Sequence, residues 1–249
     1  MPKTVLITGA SSGLGAEMAR QFAALGYDLA LCARRTERLQ ELRDEILNQS
    51  AGRRIEIRAL DVTDDAAVFR VFADFAADFG TLDRIVINAG LGKGAPLGTG
   101  RYDANRETAM TNFVAALAQT EAAMEIFRAQ NSGHLVMISS MSAMRGMPKT
   151  LTTYAATKAG VAHLAEGLRM ELADSPIKVS TIYPGYIASE MNERIKKKPA
   201  FMVSTRDGVS AIVAAIEKEK PAARVPGWPW APLGAVMRNA PLGIVRRLV

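Results

Sequence analysis

Cysteine is almost missing from this sequence: Cys32 is the only one in 249 residues. A lone thiol makes an intramolecular disulfide impossible and offers no metal-ligand spacing. Cys32 lies in an apolar run, where a small core residue is expected rather than a nucleophile. Neither of the two histidines, His134 and His163, has a partner acid at a useful spacing, so both are expected to be structural and no metal is expected. No run of about 18 apolar residues occurs, which excludes a helical bilayer span. Met1-Pro2-Lys3 leads straight into a strand pattern with no signal-peptide core, so a cytoplasmic location is expected. No Lys/Arg run reads as a nucleic-acid stripe. The net charge of +6, from 31 basic and 25 acidic residues, therefore fits general solubility or a phosphorylated cofactor. No linker and no internal repeat divides the chain, so residues 1–249 are read as one domain.

What the sequence does have is alternation. Short apolar runs at 4–8, 28–33, 55–60, 84–88, 134–139 and 178–183 read as strands. They are nearly continuously apolar, as strands covered on both faces must be. Between them lie helical patterns near 14–26, 36–49, 64–79, 103–130, 153–173 and 206–219. That alternation implies right-handed crossovers and an α/β fold, a Rossmann-like doubly wound parallel sheet of about seven strands with helices on both faces. Two stretches break the pattern. Residues 186–205, which include Lys196-Lys197-Lys198-Pro199, form a long connection expected to act as a substrate lid. The tail, 221–249, is rich in Pro, Gly and Trp and ends apolar and basic.

The first strand runs into Thr8-Gly9-Ala10-Ser11-Ser12-Gly13-Leu14-Gly15, followed by a helix. Glycines let a backbone approach a pyrophosphate, and a helix N-terminus presents free N–H groups to it. The spacing, Gly-x-x-x-Gly-x-Gly, differs from G-x-G-x-x-G. After the second strand comes Ala33-Arg34-Arg35, where an NAD enzyme usually places an acid for the ribose 2′-hydroxyl. Guanidinium groups bind phosphate in a charge-assisted way, so Arg34 and Arg35 favour NADP(H), with Ser11 and Ser12 as further donors. Farther on, Tyr154 and Lys158 share one helix face at i, i+4. A nearby cation favours phenolate and is expected to lower the Tyr154 pKa.

The glycine turn, Asp61-Val62, Asn88-Ala89-Gly90, Asn112, Ser139-Ser140, Tyr154-x-x-x-Lys158 and Pro184-Gly185 occur in order, over roughly residues 4–190. Together they resemble the short-chain dehydrogenase/reductase family, in its compact single-domain branch. The resemblance implies hydride transfer between a nicotinamide and a carbonyl or secondary alcohol. Tyr154 would be the general acid/base, Ser140 would bond the substrate oxygen, and Asn112 would hold a water linking Lys158 to solvent. Lys158 would also bind the nicotinamide ribose. Gly9, Gly13, Leu14 and Gly15 would line the pyrophosphate turn. Asp61 and Val62 would hold the adenine, with Asn88, Ala89 and Gly90 beside its ribose. Pro184, Gly185 and Ile187 would line the nicotinamide, and Ser189 would bind its carboxamide. A homodimer or homotetramer through the helices at 103–130 and 153–173 is also implied. One departure stands out: the family usually sets its serine thirteen residues before the tyrosine, and here Met141 holds that place. Methionine donates no hydrogen bond. Ser140 is therefore chosen, with Ser142 and Ser139 as fallbacks and an extra residue inferred within 145–153, near Lys149-Thr150.

Met141, Met144, Met147, Met191 and Met202 flank the expected substrate region and suggest a hydrophobic, adaptable pocket. The tail, with Trp228-Pro229-Trp230, could cap that pocket, meet a partner chain or touch a membrane surface. The competing functional reading is a sensor that binds NADP without turnover, but such a protein need not keep Asn112, Ser140, Tyr154 and Lys158 together.

Overall fold

The computed structural model describes residues 2–50, 52–190 and 201–248. Among them, seven strands form one sheet: β1 (Thr4–Thr8), β2 (Asp28–Ala33), β3 (Ile55–Ala59), β4 (Arg84–Ile87), β5 (His134–Ile138), β6 (Lys178–Pro184) and β7 (Ala222–Val225). The order is β3-β2-β1-β4-β5-β6-β7, and every pairing is parallel. Side chains on a strand alternate between faces, so the continuous apolar runs feed two cores. Val5 and Ile7 pack with Phe22 and Ile212 on one face. Leu6 and Ile85 pack with Phe72 and Phe127 on the other. Helices α1 (Gly13–Ala24), α2 (Thr36–Gln49) and α7 (Thr205–Glu217) cover the first face. Helices α3 (Asp65–Phe79), α5 (Ala115–Gln130) and α6 (Thr152–Glu171) cover the second.

The chain leaves β1 toward β2 and β3, then returns to pair β4 with β1, in the register Val5↔Arg84 and Ile7↔Val86. That reversal opens a crevice at the carboxyl ends of β1 and β4, where open α/β sheets bind ligands. Thr8 locks the two strand ends together, its Oγ1 accepting from the backbone N–H groups of Asn88 and Ala89 at 3.1 Å each.

Three features differ from the sequence expectation. The helix expected at 103–130 is interrupted: α4 (Tyr102–Ala109) passes into a π-helical turn (Met110–Val114) before α5. One widened turn leaves the apolar period nearly intact, so periodicity does not reveal it. The seventh strand, β7, has four residues and carries Arg224, so it shows no apolar run. The tail also forms α8 (Gly227–Asn239) and α9 (Leu242–Leu248). Trp228 is non-helical (φ −99°, ψ 133°), so Pro229 opens the regular helix, where an N–H lacks a helical partner anyway, while Pro232 lies inside it. Of the expected lid, 191–200 lies outside the described residues, while the described ends pair with each other through the Ile187↔Val203 bridge.

Candidate active site

The residues singled out in the sequence follow the carboxyl ends of β1 to β6 or lie on the helices beside them. At the first of these, Gly9 (φ 65°) turns the chain so closely that a Cβ there would lie 2.9 Å from the Ala89 Cα. A Cβ on Gly15 would lie 2.4 Å from the Gly9 carbonyl oxygen. Only glycine fits these two positions, and the result is a bare backbone cradle opening on the first turn of α1. That turn contains no acidic residue, and Ser12, its N-cap, makes no side-chain capping bond. The cradle fits a pyrophosphate on those grounds. Asn88 supports it, its Nδ2 donating to the Thr8 carbonyl at 2.9 Å.

The two arginines behave differently. Arg34 is 70% exposed, with its Nη1 3.9 Å from the Asp61 Oδ2. Arg35 is engaged: its Nε donates to Ser11 Oγ at 3.3 Å, its Nη2 to Ser12 Oγ at 2.6 Å and its Nη1 to Glu190 Oε2 at 3.2 Å. Glu190 also pairs with Arg38. Sequence reading missed both partners, because Glu190 is 155 positions from Arg35 and no local pattern links them. Asp61 also accepts from the Thr63 N–H and hydroxyl at 3.0 and 2.8 Å. Burial pushes its carboxyl up, but the Thr63 bonds and Arg34 outweigh that and hold it below its ordinary pKa. Val62, next to it, is buried.

At the end of β5 the three candidate serines separate. Ser139 is buried and donates to the Lys158 carbonyl at 2.8 Å. Ser142 lends only its backbone N–H, which Ser140 Oγ accepts at 3.1 Å. That leaves the Ser140 hydroxyl proton free on the side of the Tyr154 phenol, whose pKa Ser140 acts to lower. Within 145–153, where the extra residue was expected, Lys149 takes a left-handed conformation (φ 60°).

Tyr154 sits in the first turn of α6 and Lys158 one turn later. Lys158 is 6% exposed, and its Nζ donates to the Ile138 carbonyl at 2.8 Å. Burial pulls its pKa down to about 8. The Tyr154 phenol is raised, first by burial and then by Tyr186, against a lowering by Ser140. The expected depression by Lys158 is therefore corrected: in the folded chain desolvation governs this phenol. Asn112 lies in the π turn and is buried, its Oδ1 accepting from the Leu91 N–H and its Nδ2 donating to the Leu91 carbonyl, both at 2.8 Å. Gly90 faces both side chains: a Cβ there would lie 3.2 Å from Asn112 Oδ1 and 3.4 Å from Lys158 Nζ.

The fourth side comes from β6 and the tail. Ser189 faces the glycine turn, its Cβ 3.6 Å from the position of a Cβ on Gly13. Ile187 is buried in the core, and Gly185 donates its N–H to Val225 at 2.8 Å, at the end of β6 after Pro184. Over Gly185 lies the Trp230 indole, 4% exposed, which meets Tyr186 edge-on at 5.5 Å. Farther along α8, Met237 and Leu233 pack on Met144, Met147, Leu151 and Ala155. Met141 is buried beside Gly234 of α8, Met202 is half-buried, and Met191 lies outside the described residues. Sequence reading left open where the tail goes; the signal present was the Trp-Pro-Trp cluster, which carries no helical period. Among the described residues no helix is long and apolar enough to cross a membrane.

Comparison with known proteins follows the same lines. The family model described as short chain dehydrogenase matches residues 3–200. An uncharacterized oxidoreductase of Mycobacterium tuberculosis is 51% identical over 243 residues, 98% of this chain and 96% of the relative. Among solved structures, a short-chain dehydrogenase from Sphingobium yanoikuyae in complex with NADPH superposes with a TM-score of 0.84 at 28% identity, covering 100% of this chain and 95% of that one. A closed serine dehydrogenase complexed with NADP+ gives a TM-score of 0.76 at 28% identity, covering 86% and 88%.

Proposed function

The chain belongs to the short-chain dehydrogenase family, an oxidoreductase of the type that acts on alcohol and carbonyl groups, and from that premise we propose that it is an NADP(H)-dependent enzyme with Tyr154 as its general acid/base. The observation that carries the reading is the grouping of Ser140, Tyr154 and a buried Lys158 next to a glycine cradle suited to a pyrophosphate. When bound, the nicotinamide cofactor supplies or takes up the hydride. As hydride reaches a carbonyl carbon, negative charge grows on its oxygen, and the Tyr154 and Ser140 hydroxyls stabilise it there. Tyr154 then delivers the proton, a step that contributes typically ~10²–10⁴-fold in rate. Lys158 and Asn112, which both face Gly90, carry the replacement proton toward solvent, and the Lys158 pKa of about 8 suits that exchange near neutrality.

Arg34 and Arg35 at the start of α2, with no acid between β2 and α2, support a cofactor bearing a 2′-phosphate. Met141, Met144 and Met147, on the segment between Ser140 and α6, support a hydrophobic substrate. The same reading places the enzyme in the cytoplasm as a homodimer or homotetramer through α5 and α6, which leave Leu117 and Met170 exposed, as are Phe113 and Val114 in the π turn. Calorimetric titration with NADPH and NADH, on wild type and Arg34→Ala, tests the cofactor. Tighter NADPH binding that weakens in the variant is expected; equal or better NADH binding refutes the preference. A ketone and aldehyde panel with Tyr154→Phe as control then tests the chemistry.

A further inference from the structure

The start of α2 concentrates positive charge where a helix least favours it. Arg35 is the N-cap residue and Arg38 lies in the first turn, at the positive end of the helix dipole. What holds them there is Glu190, whose two carboxylate oxygens are shared between them: Oε2 accepts from Arg35 at 3.2 Å and Oε1 from Arg38. Glu190 reaches them from the far side of the crevice. It follows Ser189, which faces Gly13, while the Ala188 N–H donates to Val203 at 3.0 Å and the Ala188 carbonyl accepts from Thr205 at 2.7 Å. The chain leaving β6 therefore crosses the mouth of the glycine turn and ends on the arginines beside Ser11 and Ser12.

A carboxylate here has the charge and the acceptor geometry of a phosphate. We propose that Glu190 determines cofactor specificity by occupying Arg35 and Arg38 in competition with a dinucleotide 2′-phosphate, so that the phosphate-bearing cofactor must exchange with it. The inference rests on the nicotinamide-dinucleotide reading given above. It also adds Arg38 to the phosphate-binding residues. A cofactor with a plain 2′-hydroxyl has no need of those guanidinium groups and leaves the pair intact.

Calorimetry on wild type, Glu190→Gln and the Glu190→Gln variant in an Arg35→Ala/Arg38→Ala background tests this with NADPH and NADH. Exposed ion pairs are worth fractions of a kcal/mol each, so removing both of the Glu190 pairs is expected to tighten NADPH binding about fivefold. NADH affinity is expected to stay within about twofold, and the gain to vanish once the arginines are gone. The Glu190 side chain is 45% exposed, so the fold is not at stake in the variant. Unchanged or weaker NADPH binding overturns the proposal, as does an equal gain for both cofactors, which would mean that the groove had merely opened. If wild type shows no NADPH preference and Glu190→Gln acquires one, the competition stands and the native NADP preference falls. If neither protein binds either cofactor, both fall.

Discussion

Tyr154 and Lys158 have opposite titration problems that share one cause. Burial disfavours charge, so it raises the phenol and pulls the ammonium down to about 8. A raised phenol is a proton donor throughout the neutral range, which suits reduction; the reverse reaction needs phenolate. Carbonyl reduction at saturating cofactor is therefore expected to be level below about pH 8 and to fall above it as Lys158 loses its charge, while alcohol oxidation climbs with pH. Initial rates in both directions across that range check this, and an oxidation rate independent of pH would remove Tyr154 from the step. How far these residues could be read in advance depended on distance along the chain. Tyr154 and Lys158 are one helical turn apart, so local geometry was enough to pair them, whereas Ser140 was chosen over Ser139 and Ser142 on the family's spacing, alternation saying only that Ser139 and Ser140 do not both face the site. The bonds from Arg35 to Ser11 and Ser12 span 24 and 23 positions and its bond to Glu190 spans 155, and no spacing rule connects such residues.

At the level of elements, the strands whose far ends build the site are tied at their near ends by a buried polar chain. Arg84, the first residue of β4, donates from Nε to His134 Nδ1 at 3.0 Å, and His134, the first of β5, faces Ser180 of β6 with Nε2 to Oγ at 2.7 Å. Ser180 donates onward to the Lys220 carbonyl at 2.7 Å, so His134 Nε2 must carry the proton and Nδ1 must accept. Arg84 also donates to the Tyr27 hydroxyl at 3.1 Å and pairs with Glu217 of α7. Protonating His134 would break its bond with Arg84 and place two cations side by side. Burial, and then Arg84, accordingly pull its pKa down to about 3. The folded pKa lies below the unfolded value, so the stabilisation is complete above about pH 6.5 and is lost as pH falls toward 3. The expected slope is at most about 1.4 kcal/mol per pH unit from this one proton. Urea unfolding at several pH values in that window should show it, and His134→Gln, which has nothing to titrate, should show a shallower slope. The expectation that His134 is structural came from its isolation in the sequence; the strand assignments came from apolar runs; β7 and the π turn escaped because one is too short and the other too subtle to disturb a period.

For the molecule as a whole, the sheet builds one side of the candidate site and helix α8 packs against the other. The crevice at β1 and β4, the glycine cradle and the Arg34–Asp61 pair all belong to the part of the chain before β5. The Tyr154 side is roofed from elsewhere: Trp230 lies on Gly185 and Tyr186, and Leu233 and Met237 pack on the segment joining Ser140 to α6. Cofactor binding and substrate turnover should therefore come apart when the tail is removed. Deleting 227–249 exposes Met147 and Ala155 and uncovers Gly185, while leaving the cradle and the arginines untouched. NADPH affinity is expected to stay within about threefold, and turnover of ketones to fall by about tenfold or more, since a misplacement near 1 Å can cost ~10² in rate. Trp230→Ala is expected to move in the same direction by a smaller amount with the rest of α8 in place. Calorimetry beside initial rates on the two proteins separates the outcomes. Loss of NADPH binding would mean that the tail holds the whole fold together, and full turnover without it would mean that α8 is not part of the pocket. Trp228, Leu242 and Ile244 stay exposed on this segment, so sedimentation of full-length and truncated protein with anionic liposomes decides whether the same tail also meets a membrane. Equal recovery of both forms in the supernatant is the result a roof alone predicts.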